Sequence, residues 1–286
     1  MILLDLNQTM ISNAMMQLGN HINTLEIDLF RHMVLNSIRS YRRKYVGEYG
    51  ELVVACDDKK YWRKQAFPHY KSNRKKARED SDIDWNQIFN CLNTIRDELK
   101  QYFPYRVIQV EGAEADDIIA TLCMQYGSLL RTKEKILILS GDKDFTQLQV
   151  YANVEQYDPV QGKAIKTNDP HRFLREHILK GDRGDGVPNI LSPDDCFVRN
   201  ERQKPLSKKR IEQLISTADI TTLLSEQELR NFKRNEQLID FHMVPPHVSA
   251  SIMETYEQEA DKPRGQLLNY FIQHKLKLLT EHIDEF

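Results

Sequence analysis

Four short, continuous runs of apolar residues predict the strands of a buried β-sheet. The runs cover residues 1–4, 52–56, 106–110 and 135–139. Continuous apolar character, as opposed to strict alternation, is typical of parallel strands that are covered on both faces. Segments with helical periodicity lie between these runs, at residues 25–45 (with Thr24 as the expected N-cap), 84–102 and 116–124. This alternation predicts an α/β fold with a central, mostly parallel sheet flanked by helices.

The strand pattern fades after about residue 186, and the remaining chain carries apolar residues at helical spacing. We expect helices at residues 208–215, 226–238, 248–258 and 264–278. The predicted core residues of this part are Met243, Leu267, Leu268, Tyr270 and Phe271. The sequence therefore predicts two domains, an α/β domain at residues 1–185 and an all-helical subdomain at residues 186–286.

Carboxylates follow each of the four predicted strands. They are Asp5, then Asp57 and Asp58, then Glu114, Asp116 and Asp117, and finally Asp142 and Asp144. A single Asp after a strand is usually a turn residue or a helix cap, but four strands that all end in this way indicate a shared site. In open parallel sheets, ligands bind beyond the carboxyl ends of the strands, so these side chains should converge there.

Such a cluster of carboxylates predicts a divalent metal site. Neighbouring carboxylates repel each other, and hard cations with a preference for oxygen ligands relieve that repulsion. We therefore expect Mg²⁺, with Mn²⁺ as a substitute, and the number of carboxylates favours two ions. Two such ions suit in-line displacement at phosphorus.

A tight turn with two further carboxylates follows the helical stretch at residues 170–180. Its sequence is Gly181-Asp182-Arg183-Gly184-Asp185, followed by Gly186, Val187 and Pro188. Asp182 and Asp185 either form the turn or complete the metal site, and the sequence leaves both alternatives open.

The basic residues are segregated from these carboxylates. The chain has 40 Lys plus Arg and 42 Asp plus Glu, a net charge of −2, yet residues 59–78 hold nine cations and no carboxylate. Aromatic residues lie among them, at Tyr61, Trp62, Phe67 and Tyr70. This mixture predicts a nucleic-acid contact, although a solvated helix face is the alternative. A second basic segment at residues 199–210 is a weaker indication of the same kind.

The remaining composition indicates a globular chain, with 40% hydrophobic and 29% charged residues. No stretch has the length of a membrane span, and the first residues lack the features of a secretory signal. The four cysteines are scattered, so we expect reduced thiols, no cysteine zinc site and a cytoplasmic location.

The motifs resemble those of the structure-specific 5′-nucleases, a family that includes flap endonucleases and the 5′-nuclease domains of bacterial DNA polymerases. The resemblance rests on Glu114-Ala-Asp116-Asp117, on Gly141-Asp142-Lys143-Asp144 and on the Gly181–Asp185 turn, in the family's order. The segment from Tyr61 to Arg74 is similar to the start of the family's helical arch, which we expect at residues 59–80. The resemblance implies a PIN/5′-nuclease-like core with this arch, and a DNA-binding role for the C-terminal subdomain.

The resemblance also implies roles for individual residues. It implies metal ligands or near-ligands at Asp5, Asp57, Glu114, Asp116, Asp142, Asp144 and Asp185, with Asp117 and Asp182 acting through water. Lys71 and Arg74 match the arch-base cations near the scissile phosphate, and they join Asp142 and Asp144 as the expected catalytic residues. The expected nucleic-acid contacts are Arg63, Lys64, Tyr70, Lys71, Arg74, Lys75, Lys76, Arg78, Lys208, Lys209 and Arg210.

One departure from the family pattern concerns the turn, where Gly186 replaces an Asn and residues 187–191 replace a glycine-rich hairpin. We therefore expect the basic segment at residues 199–210 to hold duplex phosphates in place of that hairpin.

The resemblance implies an Mg²⁺-dependent 5′→3′ exonuclease and flap endonuclease with ribonuclease H activity. Such an enzyme acts on RNA–DNA and DNA–DNA duplexes and removes lagging-strand RNA primers during phage DNA replication. We expect a monomer, with a single-stranded-DNA-binding protein and a sliding clamp as partners. Two alternatives stay open: a PIN-like ribonuclease on single-stranded RNA, and a non-catalytic accessory protein that binds branched DNA.

Overall fold

The computed structural model describes residues 1–19, 25–127, 134–260 and 262–286. A six-stranded sheet has the strand order β3-β2-β1-β4-β5-β6. The strands are β1 (Ile2–Asp5), β2 (Leu52–Ala55), β3 (Arg106–Ile108), β4 (Ile136–Leu139), β5 (Val154–Asp158) and β6 (Lys163–Ile165). The first five are parallel, and β6 pairs antiparallel with β5. The predicted α/β fold with a mostly parallel sheet is confirmed.

Twelve α-helices accompany this sheet in the described residues. They are α1 (Leu6–Leu18), α2 (Ile27–Tyr49), α3 (Trp62–Ala66), α4 (Ser72–Glu79), α5 (Trp85–Tyr102), α6 (Ala115–Tyr126), α7 (Pro170–Lys180), α8 (Lys208–Ser216), α9 (Glu226–Ile239), α10 (Pro246–Gln258), α11 (Leu267–Gln273) and α12 (Lys277–Thr280). Short 3₁₀ segments include Lys143–Val150 and Arg264–Gln266. The predicted N-cap Thr24 lies outside the described residues.

The chain forms two compact units that are interleaved along the sequence. The sheet unit contains Met1–Lys59, Ile83–Lys166 and His247–Phe286, and the arch unit contains Lys60–Asp82 and Thr167–Pro246. The two units differ from the predicted domains, which meet at a single boundary after residue 185. That division into functional domains stays a prediction. Within the described residues, no helix is both long and apolar enough to cross a bilayer.

The sheet unit packs its helices on both faces of the sheet. Alternate strand residues such as Leu4 and Val54 join one large core together with side chains of α1, α2, α5 and α11. Leu3 and Val53 point to the opposite face because neighbours along a strand alternate, and α6 packs against β1 and β2. All four cysteines are buried and form no disulfide.

The C-terminal residues also contribute to the core of the sheet unit. Phe286 is fully buried, and its ring contacts those of Phe103 and Phe271 at centroid distances of 5.7 and 5.1 Å. Of the predicted core residues, Leu267, Tyr270 and Phe271 are buried. The prediction was wrong for Met243 and Leu268, which are 42% and 49% exposed. Both lie on short helical turns that leave one side in solvent.

Candidate metal centre and nucleic-acid contacts

The metal centre begins at Asp5, the last residue of β1 and the N-cap of α1. One carboxylate oxygen accepts a hydrogen bond from the Gln8 backbone N–H at 3.0 Å, and the other accepts one from Ser140 Oγ at 3.1 Å. The chain turns from strand to helix without a loop, so the carboxylate is fixed at the edge of the sheet. Ser140, directly after β4, was not predicted, although its place at a strand end is the signal that identifies it.

Asp57 and Asp58 follow β2 and have different tasks. Asp57 Oδ1 accepts a hydrogen bond from the Ala115 N–H at 2.7 Å, and Oδ2 accepts one from Asn7. Asp58 Oδ2 instead accepts from the Gly112 N–H at 3.1 Å and thereby holds the turn before α6. Asp57 thus links the end of β2 to the start of α6, and this position supports Asp57 over Asp58 as the candidate ligand.

The acidic triplet at 114–117 opens α6. Glu114 is the N-cap, and it forms a reciprocal capping box with Asp117, whose Oδ2 accepts from the Glu114 N–H at 2.9 Å. Glu114 and Asp117 are buried, whereas Asp116 is half-buried. Negative side chains are favoured at a helix N-terminus by the unpaired N–H groups there. Asp117 therefore has a clear structural task beside its predicted link to a metal through water.

Asp142 and Asp144 lie in the turn after β4. Asp142 caps the 3₁₀ segment Lys143–Val150, and its Oδ1 accepts from the Asp144 N–H at 2.9 Å. The Asp142 N–H in turn donates to Ser140 Oγ at 3.2 Å. Ser140 therefore connects the ends of β1 and β4.

The negative charges of Asp57 and Asp142 both act on the Asp5 carboxylate. The pKa of Asp5 is raised to about 7, mainly by burial and further by the negative charges of Asp57 and Asp142, against the opposing hydrogen bonds from Gln8 and Ser140. These carboxylates repel each other when all are ionised, and a divalent cation that prefers oxygen ligands would relieve this repulsion. The donor set of the sheet unit therefore fits a hard metal ion.

The Gly-Asp turn belongs to the arch unit, where Asp185 contacts the arch base. Its carboxylate accepts a hydrogen bond from Tyr70 Oη at 2.7 Å, forms an ion pair with Arg74, and lies 3.7 Å from Lys71 Nζ. Asp182 Oδ1 accepts from the Asp185 N–H at 3.0 Å, so it also serves the turn. Metal ligation by Asp185 stays a prediction. Its contact with the expected catalytic cations is a structural observation.

The arch base and the Gly-Asp turn are joined by further bonds that the sequence did not predict. The Lys71 N–H donates to the Asp185 carbonyl at 2.7 Å, and Asn73 Nδ2 donates to the Arg183 carbonyl at 2.8 Å. Arg74 Nε donates to the Gly184 carbonyl at 3.2 Å. The partners are about 110 residues apart in sequence. Local sequence patterns therefore do not predict these bonds.

Gly186 allows this close approach. Its φ of +72° lies in the left-handed region, and a Cβ there would lie 3.1 Å from the His69 carbonyl oxygen and 3.3 Å from Asn73 Oδ1. The replacement of the family's Asn by Gly at this position therefore has a physical reason, since the arch base packs directly on the backbone.

We expect Gly186→Ala to weaken this docking. The left-handed conformation costs a non-glycine residue roughly 1–2 kcal/mol, and the added methyl group would push the arch base away from the turn. The thermal midpoint should fall by a few degrees, and the single-turnover cleavage rate should fall with it. Gly265→Ala is the control, because Gly265 has no positive φ and no atom within 4 Å of an added Cβ. Equal effects of the two substitutions would contradict the prediction.

The aromatic residues of the basic segment differ from the expectation. Trp62, Phe67 and Tyr70 are buried, and Phe67 and Tyr70 belong to the core of the arch unit. They are therefore packing residues in this structure, and stacking of Tyr70 on a base does not fit its position.

Arg63 also does not fit its predicted role as a nucleic-acid contact. It is only 2% exposed, its Nε donates to the Leu238 carbonyl at 2.8 Å, and its guanidinium lies 4.6 Å from the Trp62 ring. The run of charges predicts a surface cation at this position, but the long Arg63 side chain connects α3 with the end of α9.

The other predicted contacts remain accessible to different degrees. Lys64, Lys75, Lys76, Lys208 and Lys209 are exposed, and Arg78 is half-buried. The Arg74 side chain is 44% exposed and that of Lys71 13%. Arg210 is partly engaged, because it donates to the Leu223 carbonyl at 2.6 Å. These binding roles stay predictions.

Comparison with known proteins gives two family matches that together span most of the chain. Residues 8–177 match the 5′-3′ exonuclease N-terminal resolvase-like domain, and residues 173–286 match the T4 RNase H C-terminal domain. The chain is 35% identical to the Ribonuclease H of Enterobacteria phage T4, over 99% of this chain and 95% of that protein. It is 32% identical to Flap endonuclease Xni of Shewanella sp. (strain MR-4), over 48% of this chain and 51% of that protein.

Solved structures show a similar fold. The D15 protein of bacteriophage T5, co-crystallised with metal ions, aligns with a TM-score of 0.61 and 16% identity over 91% of this chain and 99% of that one. A D15 flap endonuclease complex with DNA and metal ions aligns with a TM-score of 0.61 and 18% identity, over 90% and 99% of the two chains.

Proposed function

The chain belongs to the 5′-3′ exonuclease family that includes flap endonucleases, and from this membership we propose that it cleaves nucleic-acid 5′ ends and flaps with two Mg²⁺ ions. As a member of this family, the protein is a phosphodiester hydrolase. The single observation that carries the proposal is the convergence of Asp5, Asp57 and Asp142: burial is the main cause that raises the pKa of Asp5 to about 7, and the charges of Asp57 and Asp142 add to it. Such a site near phosphates is unfavourable without cations.

Mg²⁺ would be held by Asp5, Asp57, Asp142 and their acidic neighbours, and would supply Lewis acidity and an activated water. The protein's own residues do the remaining work. Asp142 and Ser140 hold the turn after β4, and Asp57 fixes the start of α6 through Ala115. In the arch unit, Arg74 and Lys71 supply positive charge for the phosphates of the 5′ strand.

The proposed substrates are RNA–DNA and DNA–DNA duplexes with 5′ ends or flaps, including lagging-strand RNA primers during phage replication. The resemblance to the phage T4 Ribonuclease H supports this choice, and it would place the protein in the cytoplasm of a bacterial host. We also propose a monomer that meets a single-stranded-DNA-binding protein and a sliding clamp. Light scattering and pull-down with these two partners test that part.

One gel tests the activity and separates it from the two alternatives. The substrates are a 5′-labelled RNA–DNA hybrid, a 5′-flap duplex and single-stranded RNA, each with Mg²⁺, Mn²⁺ or EDTA. We expect cleavage of the first two with either metal ion and none in EDTA. Cleavage of single-stranded RNA alone would support a PIN-like ribonuclease. Binding of the flap duplex without cleavage in any lane would support a non-catalytic accessory protein.

A further inference from the structure

A cavity of about 290 Å³ lies in the sheet unit, at the edge of the sheet where the strands begin. Its walls include Leu52, the first residue of β2, and Arg106, the first residue of β3. The candidate metal centre lies at the other edge, so the length of β2 places the cavity roughly 15 Å from Asp57. The cavity is therefore a separate site, and its volume is close to the lower end of the range of ligand sites, roughly 300–1,000 Å³.

The charged residues of this cavity leave positive charge without a carboxylate partner. The described residues that line it include four cations and two carboxylates, namely Arg42, Arg106, Lys262, Arg264, Glu51 and Glu259. Arg106 pairs with Glu51, and Lys262 pairs with Glu259.

The remaining two cations of the cavity, Arg42 and Arg264, are held by backbone oxygens. Arg42 donates to the Glu285 carbonyl at 2.9 Å, and Arg264 donates to the Phe286 carbonyl. In the described part of the chain, neither forms an ion pair with a side-chain carboxylate. Each guanidinium has five N–H donors, so both are positioned by the backbone and keep donors for a ligand.

The cavity also contains buried donors without partners. Tyr105 lines it and is only 3% exposed, yet its Oη has no hydrogen-bond partner in the described residues, and the same is true of Arg106 Nε. Burial raises the pKa of Tyr105, and the charges of Arg42 and Arg264 both oppose that rise, so these two cations act on the hydroxyl. A buried donor without a partner is unfavourable, and a bound acceptor removes that cost.

These groups complement a phosphate monoester. Such an ester carries a charge of about −2 and three terminal acceptor oxygens, which match two arginines and one hydroxyl group. Arginine also binds phosphate with two parallel N–H···O bonds. A carboxylate has one charge and two oxygens and would leave donors unused. The apolar side chains of Val46, Leu52 and Pro104 form the remaining wall, which suits the rest of the ester.

We propose that this cavity binds a phosphate monoester, whose phosphate oxygens accept hydrogen bonds from Arg42, Arg264 and Tyr105. The same phosphate chemistry belongs to free inorganic phosphate and to nucleoside 5′-monophosphates, and the experiment separates these two sources. The proposal does not depend on the nuclease activity, because the site lies at the opposite edge of the sheet from the carboxylates.

Isothermal titration calorimetry of the full chain tests the proposal. The titrations are made in EDTA, which prevents a metal ion from linking phosphate to the carboxylates, and at constant ionic strength. The probes are inorganic phosphate, ribose 5-phosphate, dAMP and deoxyadenosine. We expect the three phosphates to bind and deoxyadenosine not to bind. Tighter binding of dAMP than of inorganic phosphate identifies a nucleotide as the ligand, and equal affinities identify phosphate itself.

Two substitutions locate the bound phosphate. Tyr105→Phe removes a hydroxyl that has no partner in the described residues, so the melting temperature should be retained. Its Kd for dAMP should rise roughly 10- to 100-fold, the loss of one hydrogen bond to a charged group. Arg264→Gln should raise the Kd at least about 10-fold. Arg264 is exposed, so this change should leave the protein folded.

Each of these variants has a matched control. Tyr270→Phe removes a hydroxyl that donates to Glu98 at 2.7 Å, outside the lining of the cavity, so it should lower the melting temperature and leave the Kd unchanged. Arg43→Gln removes an exposed cation next to Arg42 in sequence that does not line the cavity, and it should also leave the Kd unchanged.

Three results would overturn the assignment. The first is a wild-type protein that binds none of the phosphates. The second is an unchanged Kd in both folded variants, Tyr105→Phe and Arg264→Gln, which would place the phosphate elsewhere. The third is displacement of dAMP by a poly-glutamate peptide at a lower concentration than by inorganic phosphate, which would assign the cavity to an acidic protein segment.

Discussion

Asp142→Asn should abolish cleavage while leaving the protein folded. Asp142 Oδ1 accepts the Asp144 N–H, and an asparagine Oδ1 accepts the same bond, so the cap of the 3₁₀ segment is retained and only the charge is lost. Loss of residues that merely orient a metal ligand lowers activity roughly 10–100-fold. We therefore expect at least about 100-fold slower single-turnover cleavage of a 5′-flap duplex in Mg²⁺. Binding of the same DNA in EDTA should be retained, because the change removes a negative charge near phosphates.

Asp84→Asn is the matched control. Asp84 is an exposed N-cap that accepts the Gln87 N–H at 3.0 Å, so the same chemical change is made at a cap outside the carboxylate cluster. Its cleavage rate should equal that of the wild type. A fully active Asp142→Asn variant would contradict the metal site, and a loss of folding in that variant would contradict the argument from capping.

The same substitution should relieve the repulsion at Asp5. The folded-state pKa of Asp5 is raised from 3.8 to about 7, first by burial and then by Asp57 and Asp142. Because this carboxyl pKa is raised in the folded state, the metal-free protein loses stability as the pH rises from about 4 to about 7. Above pH 7 its stability stays at that lower level. At pH 8 in EDTA, the Asp142→Asn variant should therefore melt at the same temperature as the wild type or at a higher one. Addition of Mg²⁺ should raise the melting temperature of the variant less than that of the wild type.

The parallel sheet and its acidic edge could be predicted because both depend on local sequence. Buried central strands need continuous apolar residues, and the carboxylates lie at the ends of these strands or in the turns that follow them. Strands β5 and β6 were not predicted, because β5 alternates between buried and exposed residues and β6 is mostly exposed at the edge of the sheet. Helix α1 was not predicted either, because it starts directly after Asp5 and is only weakly amphipathic.

The arch base shows the limit of local patterns. The sequence indicated that Lys71, Arg74 and Asp185 were important, but the bonds between them join segments about 110 residues apart. Composition also could not separate the cation buried at Arg63 from those in solvent, because an Arg side chain is long enough to cross a packed layer and reach a carbonyl.

Arg74→Ala should lower the rate of cleavage more than it lowers stability. Arg74 donates from Nε to the Gly184 carbonyl and pairs with Asp185, while its side chain remains 44% exposed. One edge of the guanidinium is thus fixed on the turn and the rest is accessible for a phosphate. Loss of one donor that stabilises a transition state slows catalysis roughly 10²–10³-fold, and we expect a single-turnover rate in this range with KM changed less.

Arg74→Lys distinguishes charge from geometry. Lysine keeps the charge, but it cannot bond the Gly184 carbonyl and the Asp185 carboxylate with the planar fork of arginine, so it should recover only part of the rate. Lys277→Ala, which removes an exposed cation on α12, should leave the rate unchanged. An unchanged single-turnover rate in Arg74→Ala would remove this residue from the catalytic machinery. Full recovery in Arg74→Lys would show that charge alone matters and that the docking on the Gly-Asp turn does not position it.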